Sequence, residues 1–272
     1  MRGGALVFAC IFSLSVPLLA YQDADMDGVE DALDKCSDTP FMALVDQDGC
    51  AIQSLVSPNH FDIVMGESHS QMNYLSNEKS TTRATSLQVD YYHNNFSAQI
   101  STSRYTSNTD GARQSGMNNT IASMSLSNHT ADATLTTTFG AIFPTYKTGY
   151  SNEAIDPFIT VGLNRSLSQS YDLFGGYTYT LVREKDVPLT VSYKNTNAFY
   201  AGIRRSFGDS FSLSASYNHS DSMYVGTNAL QSVSVFSYYQ LSQHWFTTLQ
   251  YAYGLNDTTS KHDGTLRLGY YF

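Results

Sequence analysis

The chain has 272 residues and a formal net charge of −9, and it is only 14% charged and 13% aromatic, with 20 Tyr. That balance is too uncharged and too aromatic for a disordered chain. After the first twenty residues it is also too interrupted for helical membrane spans, which need about 20 apolar residues in a row.

The opening "MRGGALVFACIFSLSVPLLAYQ" sets Arg2 before an apolar stretch from Ala5 to Leu19, with a small residue at Ala20. This predicts a secretory signal peptide over residues 1–20. A retained membrane anchor fits less well, because the stretch is short and holds Ser13, Ser15 and Pro17. Removing the signal leaves two cysteines, Cys36 and Cys50, in an exported chain, a pattern expected to form one disulfide rather than two free thiols.

Charge then divides the molecule. Residues 21–50 carry nine acids against Lys35 alone, whereas residues 51–272 hold a net charge of only −2. Within "DADMDGVEDALDKCSDTPFMALVDQDGC", Asp23, Asp25 and Asp27 fall at positions 1, 3 and 5 of a twelve-residue loop, followed by Gly28 at 6, Val29 at 7, Asp31 at 9 and Asp34 at 12. That is the ligand order of a calcium loop, in which Gly makes the sharp turn and position 7 offers its backbone carbonyl. Carboxylates crowded this closely repel one another unless a cation neutralises them. Asp34 is one methylene shorter than the usual Glu, which points to the weaker affinity of extracellular modules, on the order of 10⁻⁴–10⁻³ M. A solvated acidic tail is the alternative, but it has no reason to place Gly28 at the turn.

These stretches ("DADMDGVEDALDKC", "DTP" and "VDQDGC") resemble the thrombospondin type 3 repeat, which also occurs in bacterial OmpA-type proteins between a membrane barrel and a further domain. The resemblance implies Ca2+ held by the Asp set and a Cys36–Cys50 bridge, and it departs at Ser37, where the bacterial versions usually have Pro. The expected module covers residues 21–52, with a linker at 53–60. So short a segment buries too little to fold on hydrophobicity alone, and metal plus disulfide would make up the deficit.

From residue 61 to 272 the signal changes to period-two alternation. In "ADATLTTTFGAIF", Ala131, Ala133, Leu135, Phe139, Ala141 and Phe143 share one face, and Asp132, Thr134, Thr136 and Thr138 the other. "FSLSASYN" and "HWFTTLQYAYG" behave alike. About twelve such segments are predicted, near 61–69, 84–92, 95–105, 118–126, 131–143, 155–165, 170–182, 196–206, 210–219, 229–239, 244–254 and 263–272. Each has roughly the ten residues that cross a bilayer when tilted. Short links such as "HNN", "SNHT" and "FGDS" follow the even segments, and longer polar ones such as "TSNTDGARQSGM" and "REKDVPLTVSYKN" follow the odd ones. An all-β, antiparallel transmembrane barrel of the outer membrane is expected, its two ends and the calcium module on the periplasmic side.

The last segment, "GTLRLGYYF", is too apolar to be left as an open edge, so it should pair with the first and close the sheet. Its terminal Phe272 resembles the closing signal that the outer-membrane assembly machinery reads. Aromatics near the short turns (Tyr91, Phe96, Tyr171, Phe211, Tyr239, Trp245, Phe272) suit interfacial girdles better than the core of a soluble β-sandwich, the competing fold.

Predicted inward positions are mostly Ser, Thr, Gln, Gly and Asn, with the charges Asp62, Asp90, Asp132, Asp172, Arg204 and Arg267. Small polar side chains suit a narrow, porin-like channel for small hydrophilic solutes; opposed Asp and Arg suit equally a closed structural or adhesive barrel. The calcium module could serve contact with the cell wall or another periplasmic protein. Because some twelve-stranded outer-membrane barrels hydrolyse lipids, "YNHSDSM" was weighed as a catalytic set of His219, Ser220 or Ser222, and Asp221. Adjacent strand residues point to opposite faces, so His219 and Ser220 should not meet there. No enzyme and no nucleic-acid partner is expected.

Overall fold

Alternation of apolar and hydroxyl-bearing residues makes strands of this chain, and tight turns bring consecutive strands side by side. The computed structural model describes residues 59–73, 79–147, 153–184, 186–187, 191–208 and 210–272, and Lys35 before them. Strand β1 (Asn59–Asn73) pairs along its whole length with β2 (Lys79–His93). A two-residue turn at Asn94 and Asn95 leads to β3 (Phe96–Thr109), along which lie both β4 (Ala112–Met117) and β5 (Thr120–His129). Then come β6 (Ala133–Phe143), β7 (Asp156–Ser168) and β8 (Tyr171–Thr180). A two-residue pair, β9 (Asp186–Val187) and β10 (Val191–Ser192), occupies the next loop. Strands β11 (Thr196–Phe207), β12 (Phe211–Ser220), β13 (Leu230–Gln240), β14 (Trp245–Gly254) and β15 (His262–Tyr271) complete the wall.

Neighbouring strands pair antiparallel in chain order, and β15 returns to β1 with Asp62 opposite Tyr271 through to Gln71 opposite His262. The Phe272 amide donates to the Phe61 carbonyl at 2.9 Å. The wall is a closed barrel, and of its strands β4 alone pairs on one side only, with β3. Counting β4 and β5 as one interrupted strand, its wall has twelve. The interruption is a bulge: Ser101 faces Ile121 but Arg104 faces Met117, so one extra residue sits at Asn118–Thr120. The expected β-sandwich alternative is excluded by this closure.

The structure differs from the sequence reading in the reach of its first strands. The segment 106–117, expected to be a loop, is a hairpin built on β3 and β4. Its turn is Asp110-Gly111, with φ of 47° and 89°, the pair of positive values that a two-residue turn needs to match strand twist. Its polar residues look like a loop because neither face here meets the hydrocarbon of the bilayer. For the same reason β1 and β2 run to Asn73 and start at Lys79, several residues past the predicted ends. Asn59 and Phe272 both lie at the end of the barrel that carries the short turns.

Burial is inverted relative to a soluble domain. Among the described residues only Val64, Tyr105, Val182, Tyr193 and Phe246 are buried apolar or aromatic side chains, while Met124, Leu126, Phe139 and Leu249 are 60%, 58%, 56% and 55% exposed. These outward residues form the belt a bilayer covers. At the short-turn end the belt finishes in rings, as the sequence predicts. Phe61 packs on Tyr91 at 5.0 Å, Phe207 on Phe211 at 5.4 Å and Trp245 on Tyr270 at 4.9 Å.

Some inward rings lie flat against the wall over glycines of the next strand. Tyr200 covers Gly176, where a Cβ would come 2.6 Å from the hydroxyl, and Phe174 covers Gly202, where it would come 2.5 Å from Cζ. Gly176→Val should therefore destabilise the barrel by about 1–3 kcal/mol, the usual cost of overpacking. Urea unfolding in detergent, followed by the fluorescence of the single tryptophan, Trp245, reads the midpoint. An unshifted midpoint would mean that the Tyr200 ring is not seated there.

Candidate functional site

The alternation of each strand decides what reaches the lumen, so the site is a series of layers along the axis. At the short-turn end, Asp62 and Asp90 face each other on β1 and β2 and are 6% and 4% exposed. Both Asp90 oxygens accept amide hydrogens, from Gln88 at 2.8 Å and Gln99 at 2.7 Å. Asp62 accepts from the Tyr92 hydroxyl, and His60 stacks on Tyr92 at 4.8 Å. The other oxygen of Asp62, Oδ1, is buried with no hydrogen-bond partner. A buried acceptor left open is costly unless something visits it.

Beside this pair stands an aromatic cluster. Tyr271, opposite Asp62, packs 4.6 Å from Phe246, and its hydroxyl bonds that of Tyr238 at 2.8 Å. Across the barrel, Arg204 closes on one oxygen of Asp172 through Nε at 2.9 Å and Nη2 at 2.8 Å. Among the described residues the acidic pair thus has no Lys or Arg partner, whereas Asp172 has Arg204. Between the ends lies a cavity of about 370 Å³ lined by Ser86, Gln88, Ser101, Ser103, Asn118 and Arg267. The Arg267 guanidinium has no ion-pair or hydrogen-bond partner among the described residues, while its carbonyl accepts from the Thr247 hydroxyl at 2.8 Å. Elsewhere the wall hydroxyls bond one another between strands, as in Ser125–Thr138 at 2.8 Å, Thr160–Thr178 at 2.8 Å and Ser216–Ser234 at 2.9 Å.

At the long-loop end a row of tyrosines narrows the mouth. Tyr105, on β3, packs 5.6 Å from Tyr146 in the β6–β7 link, and Tyr193 packs 5.5 Å from Tyr224 in the β12–β13 link. Burial, with Tyr146 beside it, pushes the Tyr224 phenol up; burial and then Tyr224, Glu184 and Asp156 do the same to Tyr193. Tyr105 and Tyr224 belong to opposite sides of the ring, so Tyr146 reaches between them. Next to this row is a cavity of about 740 Å³ lined by Met72, Asp221, Ser222, Tyr224, Asp257 and Thr258. Asn197 donates to Asp221 from its side chain at 2.8 Å and its backbone at 3.0 Å. These bonds hold the Asp221 carboxyl below its ordinary value.

The residues expected from sequence fare unequally. Asp62, Asp90, Asp172, Arg204 and Arg267 face the lumen. Asp132 does not: it lies in the β5–β6 turn, 3.8 Å from Arg165, with 64% of its side chain exposed, because the strand starts at Ala133, two residues later than the alternation suggested. His219 points outward, stacked 4.7 Å from Phe199, while Ser220 faces the opposite side and Asp221 is held by Asn197. The four candidate catalytic residues are not brought together. The expected calcium ligands Asp23, Asp25, Asp27, Val29, Asp31 and Asp34, and the cysteines Cys36 and Cys50, lie outside the described residues. Missed altogether were the inward rings Tyr92, Phe158, Phe174, Tyr200, Phe246 and Tyr271. Their parity with Asp90, Asp172, Arg204 and Arg267 was the available signal.

No protein-family model matches the chain, and no curated protein does. Among solved structures the barrel is similar to an outer membrane channel from Pseudomonas putida F1, with a TM-score of 0.64 and 14% identity over 79% of this chain and 96% of that one. It is similar also to the NanC porin, with a TM-score of 0.53 and 12% identity over 78% of this chain and 98% of that one. At such identities the likeness is one of fold. Closure, alternation and the apolar belt together define an integral outer-membrane β-barrel, embedded in the bilayer of the cell's outer membrane.

The Arg204–Asp172 contact yields a stability test. Asp172→Asn should cost about 1 kcal/mol, a modest figure because 39% of the Arg204 side chain meets solvent and water screens the pair. Adding Arg204→Gln should lower the unfolding midpoint little further, since the partner is already lost. Additive losses would mean that the two side chains act separately.

Proposed function

We propose that the chain is an outer-membrane channel for small hydrophilic solutes, anchored to a calcium-binding module on its periplasmic side. The observation that carries this reading is the lumen itself: short hydroxyl and amide side chains line it, and a polar cavity with an unpaired guanidinium lies midway. A barrel that only needed to be filled would close that space with paired or apolar side chains. The two solved structures above are, by their titles, a channel and a porin, which supports the same reading. Short turns and both chain ends face the periplasm, and the longer links face outward. Terminal Phe272 serves the assembly machinery, and the module contacts the cell wall or a periplasmic partner.

The carboxylates Asp62 and Asp90 sit beside the inward rings and have no Lys or Arg partner among the described residues, His60 being the basic group next to Asp62, so the current should favour cations. Planar bilayers with a salt gradient test both points. Discrete conductance steps support the channel. A reversal potential on the cation side that falls at least threefold in permeability ratio for Asp62→Asn/Asp90→Asn supports the charge filter. Steps with no change in the double variant would reject the filter and leave the channel standing.

A second reading has its own observation. Packed rings at both ends, Tyr238, Phe246 and Tyr271 at one and the tyrosine row at the other, suit a closed structural or adhesive barrel. Bilayers that stay silent at high protein load would favour it over the channel.

For the module, the support is the spacing of Asp23, Asp25, Asp27, Val29, Asp31 and Asp34 around Gly28, and of Cys36 and Cys50 after it. Calorimetric titration of the full chain in detergent should give a dissociation constant on the order of 10⁻⁴–10⁻³ M, with the heat abolished in Asp25→Asn/Asp27→Asn. Equal heats for variant and wild type would reject these ligands.

A further inference from the structure

We infer that the outer wall of β2, β3 and β4 at the loop end binds the phosphate groups of outer-leaflet lipid. The outward positions there are Lys79 and Arg83 on β2, Arg104 on β3 and Arg113 on β4, all exposed. Arg83 faces Thr106 while Arg104 faces Thr85, which makes the two arginines diagonal neighbours on one face. Arg113 faces Asn108, which in turn faces Thr81, so it lies one layer above them and two strand spacings, about 10 Å, across from β2. His69 on β1 faces Arg83 from the other side. Of the outward acids nearby, Glu67 is engaged by the Thr85 hydroxyl, and Asp110 lies in the hairpin turn after Thr109, whose partner Ser80 adjoins Lys79.

None of these four cations has an ion-pair or hydrogen-bond partner among the described residues. At the short-turn end the matter stands differently. Arg165 pairs with Asp132 at 3.8 Å, and Arg205 lies 4.6 Å from the centre of the Phe207 ring and 5.4 Å from that of Tyr171. Outward arginines at that end are thus satisfied by the protein, and those at the loop end are not.

Their height on the wall says what satisfies them. The apolar belt on these strands stops along the line Met65, Leu87, Ile100 and Ala122; one outward threonine follows on each of β2 and β3, Thr85 and Thr102, then Arg83 and Arg104, with Lys79 and Arg113 further out. On the orientation proposed above, that is the level of the outer-leaflet headgroups. A guanidinium facing sideways at that level meets lipid, and its planar fork fits a phosphate through two parallel bonds. A second copy of the chain is the other conceivable occupant. Its own outward face would bring cation against cation about a two-fold axis, and the described outward positions hold no matching acidic patch. The ligand class is therefore a phosphorylated glycolipid, held by two or three phosphate–guanidinium contacts while its acyl chains lie on the belt below.

The test uses the full chain in detergent and three probes: bis-phosphorylated lipid A, the same lipid dephosphorylated, and phosphatidylglycerol. Thermophoresis gives affinities, and heat-modifiable migration on gels checks that each variant is folded. Lipid A should bind wild type at least tenfold more tightly than its dephosphorylated form. Arg83→Ala/Arg104→Ala/Arg113→Ala should lose that advantage, whereas Arg165→Ala should keep it. Because the first comparison needs no variant, a misfolded triple variant does not rescue the idea. Equal binding of both lipid A forms, or an undiminished preference in a folded triple variant, overturns it. Preference for phosphatidylglycerol over lipid A overturns it as well, by placing this wall in the other leaflet.

Discussion

Every other feature depends on the seam between β15 and β1. In lipid no water is present to satisfy a free backbone amide or carbonyl, so a sheet survives only if its last strand finds its first. Ten facing pairs from Asp62–Tyr271 to Gln71–His262 make that seam, and the Phe272 amide adds one bond beyond them. Closure also fixes parity. Once β1 and β15 are in register, no strand between them can slip by one residue without exchanging its inner and outer faces. Such a slip would put Asp172 or Arg204 into the hydrocarbon, where a basic side chain near the midplane costs about 2–4 kcal/mol. Register, lumen chemistry and lipid belt are thus one constraint seen three times.

Within that constraint the lumen is shaped by exchange of volume between neighbouring strands. Tyr200 and Phe174 are large, and the residues they cover, Gly176 and Gly202, have no side chain. A ring laid over a glycine stays against the wall and leaves the axis free. Phe246 lies likewise over Gly269, but it also meets Tyr238 and Tyr271, so three inward rings gather at one level and the passage narrows there. The lumen therefore narrows where several inward rings gather rather than wherever one ring stands. This also explains why the polar cavity lies beside β1–β5, where the inward set is Ser, Gln and Asn, rather than beside the aromatic strands.

Much of this was legible in the sequence, and the rest was hidden for definable reasons. Period-two alternation placed all twelve wall strands, because lipid on one side and a polar lumen on the other force strict alternation. It also placed the aromatics of the short-turn rim, since those positions share parity with the lipid face. The hairpin at 106–117 was hidden because, with no hydrocarbon on either face, alternation carries no information; Asp110-Gly111 was its one trace. The inward rings were hidden because an aromatic in a membrane strand reads as lipid-facing, and only the opposing glycine, known once the register is known, says otherwise. Tyr146 could not be placed beside Tyr105 and Tyr224 at all, since that contact joins three links distant in the chain. The calcium spacing was clear in the sequence, but its residues lie outside those described.

Strand β2 joins these threads. It has 15 residues where β14 has 10, and about ten suffice to cross a bilayer. The ten nearest the short turn do the crossing: Leu87, Val89 and Tyr91 meet lipid while Gln88, Asp90 and Tyr92 face the lumen. The remaining five, from Lys79 to Arg83, hold two outward cations. Had the strand stopped at ten residues, Arg83 would have belonged to a loop, free to turn toward any carboxylate at the mouth. Carried on a rigid strand that is locked to β1 and β3 on both sides, it must point away from the axis. Length beyond the bilayer here fixes the direction of a charge, and direction is what separates a solvated loop cation from one held out toward lipid.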